Sequence, residues 1–214
     1  MIDMEAVDRE VRAARAELAD AGNVKGILSL PTRVRIWRAM LDPDDDEVSY
    51  QHRVRLKMAC VRHVLPVWYQ AYPGDQRVEE MLTLAQDLID QKDVDADWLQ
   101  DYAEEFISNV ISAAEPDTTE PEPGESVIYP DPVKEVASFV ASGAAGTAIS
   151  ACYRDPDYDT VGRTVDDDEL LPDSCASAAA GALNWQPLEQ TDVPARRAFW
   201  TWYLDEAIPT TLAT

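Results

Sequence analysis

Apolar side chains recur along this chain at three- and four-residue steps, and the pattern resolves into successive amphipathic helices. Over residues 3–21, Val7, Val11, Ala14 and Leu18 share one face, and Gly22 is the expected stop. Pro31 suits the first turn of a short second helix, with Val34, Trp37, Met40 and Leu41 as its stripe. Between residues 50 and 90 the pattern is strongest. Leu56, Ala59, Cys60, His63, Val64, Val67 and Trp68 fall on one stripe of a long helix. Pro66 inside that helix predicts a kink near Arg62 and His63. Pro73-Gly74-Asp75 then turns the chain, and Met81, Leu82, Ala85, Leu88 and Ile89 line the returning helix, with Asp75 as its cap.

A further helix is expected over 94–114, started by Asp95 or Asp97 and buried through Leu99, Tyr102, Phe106, Val110 and Ile111. Residues 115–130 are rich in Pro, Glu and Thr, a composition that predicts a mobile loop. Asp131 and Pro132 then start an alanine-rich, almost uncharged helix, apolar on most sides and therefore expected at the centre. Asp173 or Ser174 is expected to start a small-residue helix that runs to about Asn184. The last helix should open at Asp192-Val193-Pro194, bury Ala198, Phe199, Trp202, Tyr203 and Ala207, and stop at Pro209. Residues 126–129 are the only short strand candidate, and no internal repeat has a fixed period. The expected fold is all-α: an irregular multi-helix bundle of about seven or eight helices, forming a single domain over residues 1–214.

Charge changes this picture. The formal net charge is −23, from 41 acidic and 18 basic residues. Residues 1–41 are close to neutral, so the excess sits on the rest of the chain. Such a field repels phosphate backbones and anionic membranes, and its natural complement is a basic protein. No uninterrupted run of about 18 apolar residues is present, and the first residues carry no basic leader. Cys60, Cys152 and Cys175 form no C-x-x-C pair and read as reduced, buried thiols of a cytoplasmic protein.

Catalytic patterns are scarce. The sequence has neither a glycine-rich phosphate loop nor a G-x-S-x-G elbow. His52 and His63 lack zinc-ligand spacing, and no cofactor is expected. Asp155, Asp157 and Asp159 resemble the start of a calcium loop. However, Thr160 stands where that loop needs Gly, and Asp166 where it needs a bidentate Glu. Arg33, Arg35, Arg38, Arg53, Arg55, Lys57 and Arg62 form a basic stretch, read as internal pairing with the acidic excess rather than an anion site. Of the six tryptophans, Trp37, Trp68, Trp98 and Trp202 are expected in the core, and Trp185 and Trp200 are candidate interface anchors.

The ordered set CVRHVLPVWYQAYPGDQRVEEMLTLA, YRDPDYD, ALNW and ARRAFWTWYLDEAIP resembles immunity family five, a group of bacterial immunity proteins from polymorphic-toxin systems. The likeness touches most of the chain. It implies an all-helical, non-enzymatic cytoplasmic protein that binds and neutralises a cognate toxin domain, and it carries no catalytic residues to transfer. A nuclease toxin holds phosphates and so has a basic active face, which an acidic protein can cover. Local charge makes Asp155, Asp157, Asp159, Asp166, Asp167 and Asp168 the candidate toxin-binding surface, with Trp185 as its anchor. Two other readings remain at this point: a metal-dependent helical enzyme using the Asp-rich 155–169 loop, and a helical scaffold that dimerises through its alanine-rich helices.

Overall fold

A computed structural model of the chain describes residues 1–114, 131–154 and 171–213. Helix α1 (Met4–Ala19) starts where the Asp3 carboxylate accepts the backbone N–H groups of Glu5 and Ala6 at 3.0 and 3.1 Å. Its buried face is Val7, Val11, Ala14 and Leu18, as the spacing predicts. The helix ends before Gly22, because the chain leaves through Asp20 in an extended conformation. Helix α2 (Leu30–Met40) follows, with Pro31 in its first turn.

Helix α3 (Asp46–Ala71) is the longest and runs unbroken through Pro66. Asp45, within the acidic run at 44–47, caps it by accepting the Val48 N–H at 3.0 Å. Glu47 in the same run pairs with Arg154 at 3.1 Å, so these charges have local duties. Helices α4 (Arg77–Ile89) and α5 (Ala96–Ala114) follow. Asp95 is the α5 cap, accepting the Trp98 N–H at 3.1 Å. Asp75 does not cap α4 as expected. Gln76 occupies that position, and Asp75 instead accepts from the Arg77 backbone and side chain.

Helix α6 (Pro132–Cys152) is the hub, packed against α3, α4, α5 and α7 (Leu171–Ala179). Its small side chains allow this close approach. A Cβ added at Gly143 would sit 3.1 Å from Cys175 Sγ and 3.2 Å from a Val61 methyl. By length and composition α6 could cross a membrane, although the sequence reading found no such run, but most of it is buried within the protein. That is how a core helix passes the same test. Three α3 side chains cap its C-terminal end. Tyr50 Oη donates to the Ala151 carbonyl at 2.6 Å, and Arg53 donates to the carbonyls of Ser150 and Tyr153 at 2.8 and 2.5 Å. Lys57 Nζ donates to Ser150 Oγ at 2.9 Å. Placing cations at the negative end of a helix dipole contributes about 0.3–2 kcal/mol.

The last helical rod is α8 (Val193–Trp202), a π turn (Tyr203–Ala207) and α9 (Ile208–Leu212). Pro209 was expected to end it and does not. Its missing N–H and its ring would disturb the preceding turn of an α-helix. The wider π turn, closed by the Ile208 N–H on the Tyr203 carbonyl, lets the rod continue. Counted this way, the described residues hold eight helical rods and no strand, and their fold is all-α. The candidate strand at 126–129 and the Pro/Glu-rich loop at 115–130 lie outside the described residues.

One apolar cluster draws residues from α1 through α9. Several assignments to it differ from the sequence expectation. Helix α2 buries Thr32, Arg33, Ile36 and Met40, so its stripe is turned away from Val34. Arg33 is the cause. Its guanidinium pairs in the interior with Asp173 of α7 and lies over the Trp200 ring, 5.3 Å from the centroid. Trp200 is fully buried, whereas Trp98 is 52% exposed, reversing their expected places. Ile111 and Ala198 are exposed as well. Helix α7 begins before Asp173, which lies inside it. It stops well short of Asn184, because Gly181 turns left-handed at φ +58° and the Ala182 and Gly181 N–H groups close on the carbonyls of Ser177 and Ala178.

Candidate functional site

The turn after α7 lies beside the N-terminal half of α6. Between that turn, α6 and the end of α5 runs a groove of about 470 Å³. Ile111 and Ala114 of α5 form one wall, Ser138, Phe139 and Ser142 of α6 the floor, and Asn184 and Trp185 the other wall. Ile111 is 44% exposed and Trp185 is 60% exposed, so the groove has an apolar rim.

Glu135, in the first turn of α6, also lines the groove and is only 4% exposed. Its Oε1 accepts the Asn184 N–H at 2.6 Å, which ties the turn to the helix. Its Oε2 is buried and has no hydrogen-bond partner. The neighbouring Ser138 hydroxyl is turned away from it, donating to the Glu135 backbone carbonyl at 2.6 Å. The arrangement is a fixed carboxylate at the bottom of an apolar slot. Such a slot can hold a cationic side chain.

The proposed contact residues divide sharply. Asp155, Asp157, Asp159, Asp166, Asp167 and Asp168 lie outside the described residues, together with the rest of the calcium-like loop. Trp185 is described and projects at the groove rim. Among the described residues, no three His, Cys, Asp or Glu side chains gather closely enough to hold a metal ion. The two histidines occupy different environments. His52 is buried, and His63 is exposed yet stacks on Trp202 with ring centroids 3.8 Å apart. Partial burial pushes the His63 imidazole below its usual range, against the pull of Glu206. The three cysteines are free thiols. Burial raises the pKa of each, that of Cys152 to about 11, so none is poised as a nucleophile.

Part of the basic stretch is structural. Arg33 meets Asp173, and Arg35 meets Glu10 at 3.2 Å. Arg53 and Lys57 hold the end of α6.

The family model for immunity protein Imm5 matches residues 13–210. The chain belongs to this immunity protein family. No curated protein matches it significantly. Membership of the Imm5 family implies an immunity function exerted by binding a cognate toxin, a role that needs no catalysis.

Two of the segments that carried the resemblance to this family, around the α3–α4 turn and in the last rod, build the fold. Trp68 is buried, and its indole N–H donates to the Asp75 carbonyl at 2.9 Å across the Pro73-Gly74 turn. Arg77 grips the Asp75 carboxylate, holds that carboxyl below its ordinary range, and lies 5.1 Å from the Phe106 centroid. In the last rod, Arg196 donates to the carbonyls of Lys25 and Leu188 at 2.9 and 3.1 Å. Arg197 donates to the carbonyls of Leu18 and Asn23. These two arginines pin the α1–α2 loop.

The sequence reading overlooked Glu135. A usable signal was present: Glu135, Ser138 and Ser142 repeat at helical spacing on a helix whose only other polar side chains are Lys134, Thr147 and Ser150. A polar stripe on such a helix marks a side that meets something other than the core.

Proposed function

We propose that this Imm5-family protein acts in the cytoplasm, where it binds a cognate toxin domain with a basic face and blocks it without making or breaking covalent bonds. The family match over residues 13–210 is the observation that carries the immunity role. The net charge of −23 supports the basic partner, because complementary fields speed encounter and select orientation. A nuclease fits this complement best, since the face that holds its phosphates must be cationic. The same charge argues against nucleic acid and anionic membranes as partners of the immunity protein itself. The proposed contact surface comprises Asp155, Asp157, Asp159, Asp166, Asp167 and Asp168, with Trp185 as the anchor.

Co-expression tests the proposal. A toxin-like domain is sought in the neighbouring gene and induced in a susceptible bacterium with and without this chain. Growth restored by the chain, together with a complex that co-purifies, is the expected result. Unrelieved toxicity with both proteins soluble would refute it. Charge reversal across the six aspartates should weaken the complex and flatten its salt dependence, and unchanged affinity would remove them from the surface.

A further inference from the structure

We infer that the groove between α5, α6 and the turn at 181–185 receives an arginine side chain from the toxin, with Glu135 as its acceptor. The inference rests on the toxin-binding role proposed above and specifies its chemistry at one point.

Glu135 supplies the first argument. A carboxylate that is 4% exposed keeps its place only when its oxygens are engaged. Oε1 is engaged by the Asn184 backbone, and Oε2 has no hydrogen-bond partner. Among the described residues no lysine or arginine lines the groove, so a positive charge there is assigned to the occupant. The bond from Asn184 fixes the carboxylate before any partner arrives, which lowers the ordering cost of docking.

The walls supply the second argument. Ile111, Ala114, Phe139 and Trp185 are apolar, and they suit the aliphatic stem of a long side chain. A planar guanidinium can donate to a carboxylate while its face stacks on an aromatic ring, which an ammonium does less well. The groove volume of about 470 Å³ lies within the usual range for ligand pockets, roughly 300–1,000 Å³. Buried arginine anchors ringed by apolar contacts are a recurrent feature of tight protein interfaces.

The test is calorimetric titration of the full-length chain with the toxin domain from the neighbouring gene, using wild type, Glu135→Gln and Ile111→Lys. Glutamine keeps an acceptor for Asn184 and removes the charge, so its melting temperature should stay close to wild type. Its affinity for the toxin should fall at least ~30-fold, as expected when one partner of a buried charge pair is lost. Ile111→Lys, at an exposed rim position, should weaken binding about tenfold or more by repelling the incoming cation. It also keeps the test open should Glu135→Gln fold poorly. Affinities for both variants within twofold of wild type would overturn the inference. So would a loss confined to Ile111→Lys, which would point to an apolar occupant. A wild-type chain that does not bind the toxin domain at all would remove the proposed function and this inference together.

Discussion

The α3–α4 turn and the groove beside α6 treat their polar groups in opposite ways. At the turn, the Trp68 indole, the Asp75 backbone and carboxylate, and the Arg77 guanidinium are bonded within one short stretch of chain. At the groove, Glu135 is just as firmly positioned, yet one of its oxygens is left without a hydrogen bond. The first arrangement closes on itself and stabilises the bundle. The second is complete only with an outside group. Buried polar atoms without a hydrogen bond also occur in the core, at Tyr72, Trp200 and Tyr203, so what sets Glu135 apart is that its unmet oxygen lies at a groove. The family segments around the α3–α4 turn and in the last rod are mainly architectural. The groove adds Glu135 and Ile111, which lie outside the family segments, to Trp185, which lies within one.

The strongest way to break the comparison is to damage the architectural side. Trp68→Ala should lower unfolding free energy by about 3–5 kcal/mol, because it empties a fully buried site and releases the Asp75 carbonyl. Chemical denaturation reads this directly, and toxin affinity of the remaining folded protein should not change. Arg33→Met should cost a comparable or slightly smaller amount, about 3–5 kcal/mol, by stranding Asp173 in the interior. Adding Asp173→Leu should recover most of that loss. A double variant no better than Arg33→Met would show that the pair is not coupled.

Smaller changes sharpen the contrast. Gly181→Ala places a side chain at φ +58°, with nothing within 4 Å of the new Cβ, so only backbone strain opposes it. A cost of about 1–2 kcal/mol is expected in the same denaturation experiment. Because Gly181 shapes the turn that carries Asn184 and Trp185, this substitution should also weaken toxin binding, unlike Trp68→Ala.

The smallest effect concerns His63. Its folded pKa lies below the usual 6.5, through burial against Trp202, so folding favours the neutral ring. The stability it contributes is present above about pH 6.5 and is lost as pH falls through the folded value. Denaturation midpoints of wild type and His63→Phe should therefore diverge below that pH, with the phenylalanine variant less sensitive to acid.

Much of the bundle was legible because periodicity reports burial directly. The α1 face, the Asp95 and Asp131 caps and the central place of α6 follow from spacing and cap chemistry. The failures share a physical cause. Arg33 and Asp173 neutralise each other across two helices far apart in sequence, and a lone charge in a pattern reads as solvent-facing. In the last rod four aromatic residues crowd into positions 199–203, so its register could not be set by counting, and Trp200 was misplaced. Passage through Pro209 depends on a π turn that no local residue announces. At the groove, Trp185 was visible as an anchor, but Glu135 is one of 41 acidic residues, and its type alone gave no signal.

The most direct measurement is the association rate of this chain with the neighbouring toxin domain, followed by stopped flow as salt is raised. An acidic protein docking on a basic face should associate fast at low salt and slow on the order of tenfold or more by several hundred millimolar. A rate that stays flat across that range, or no complex at any salt, would contradict the account.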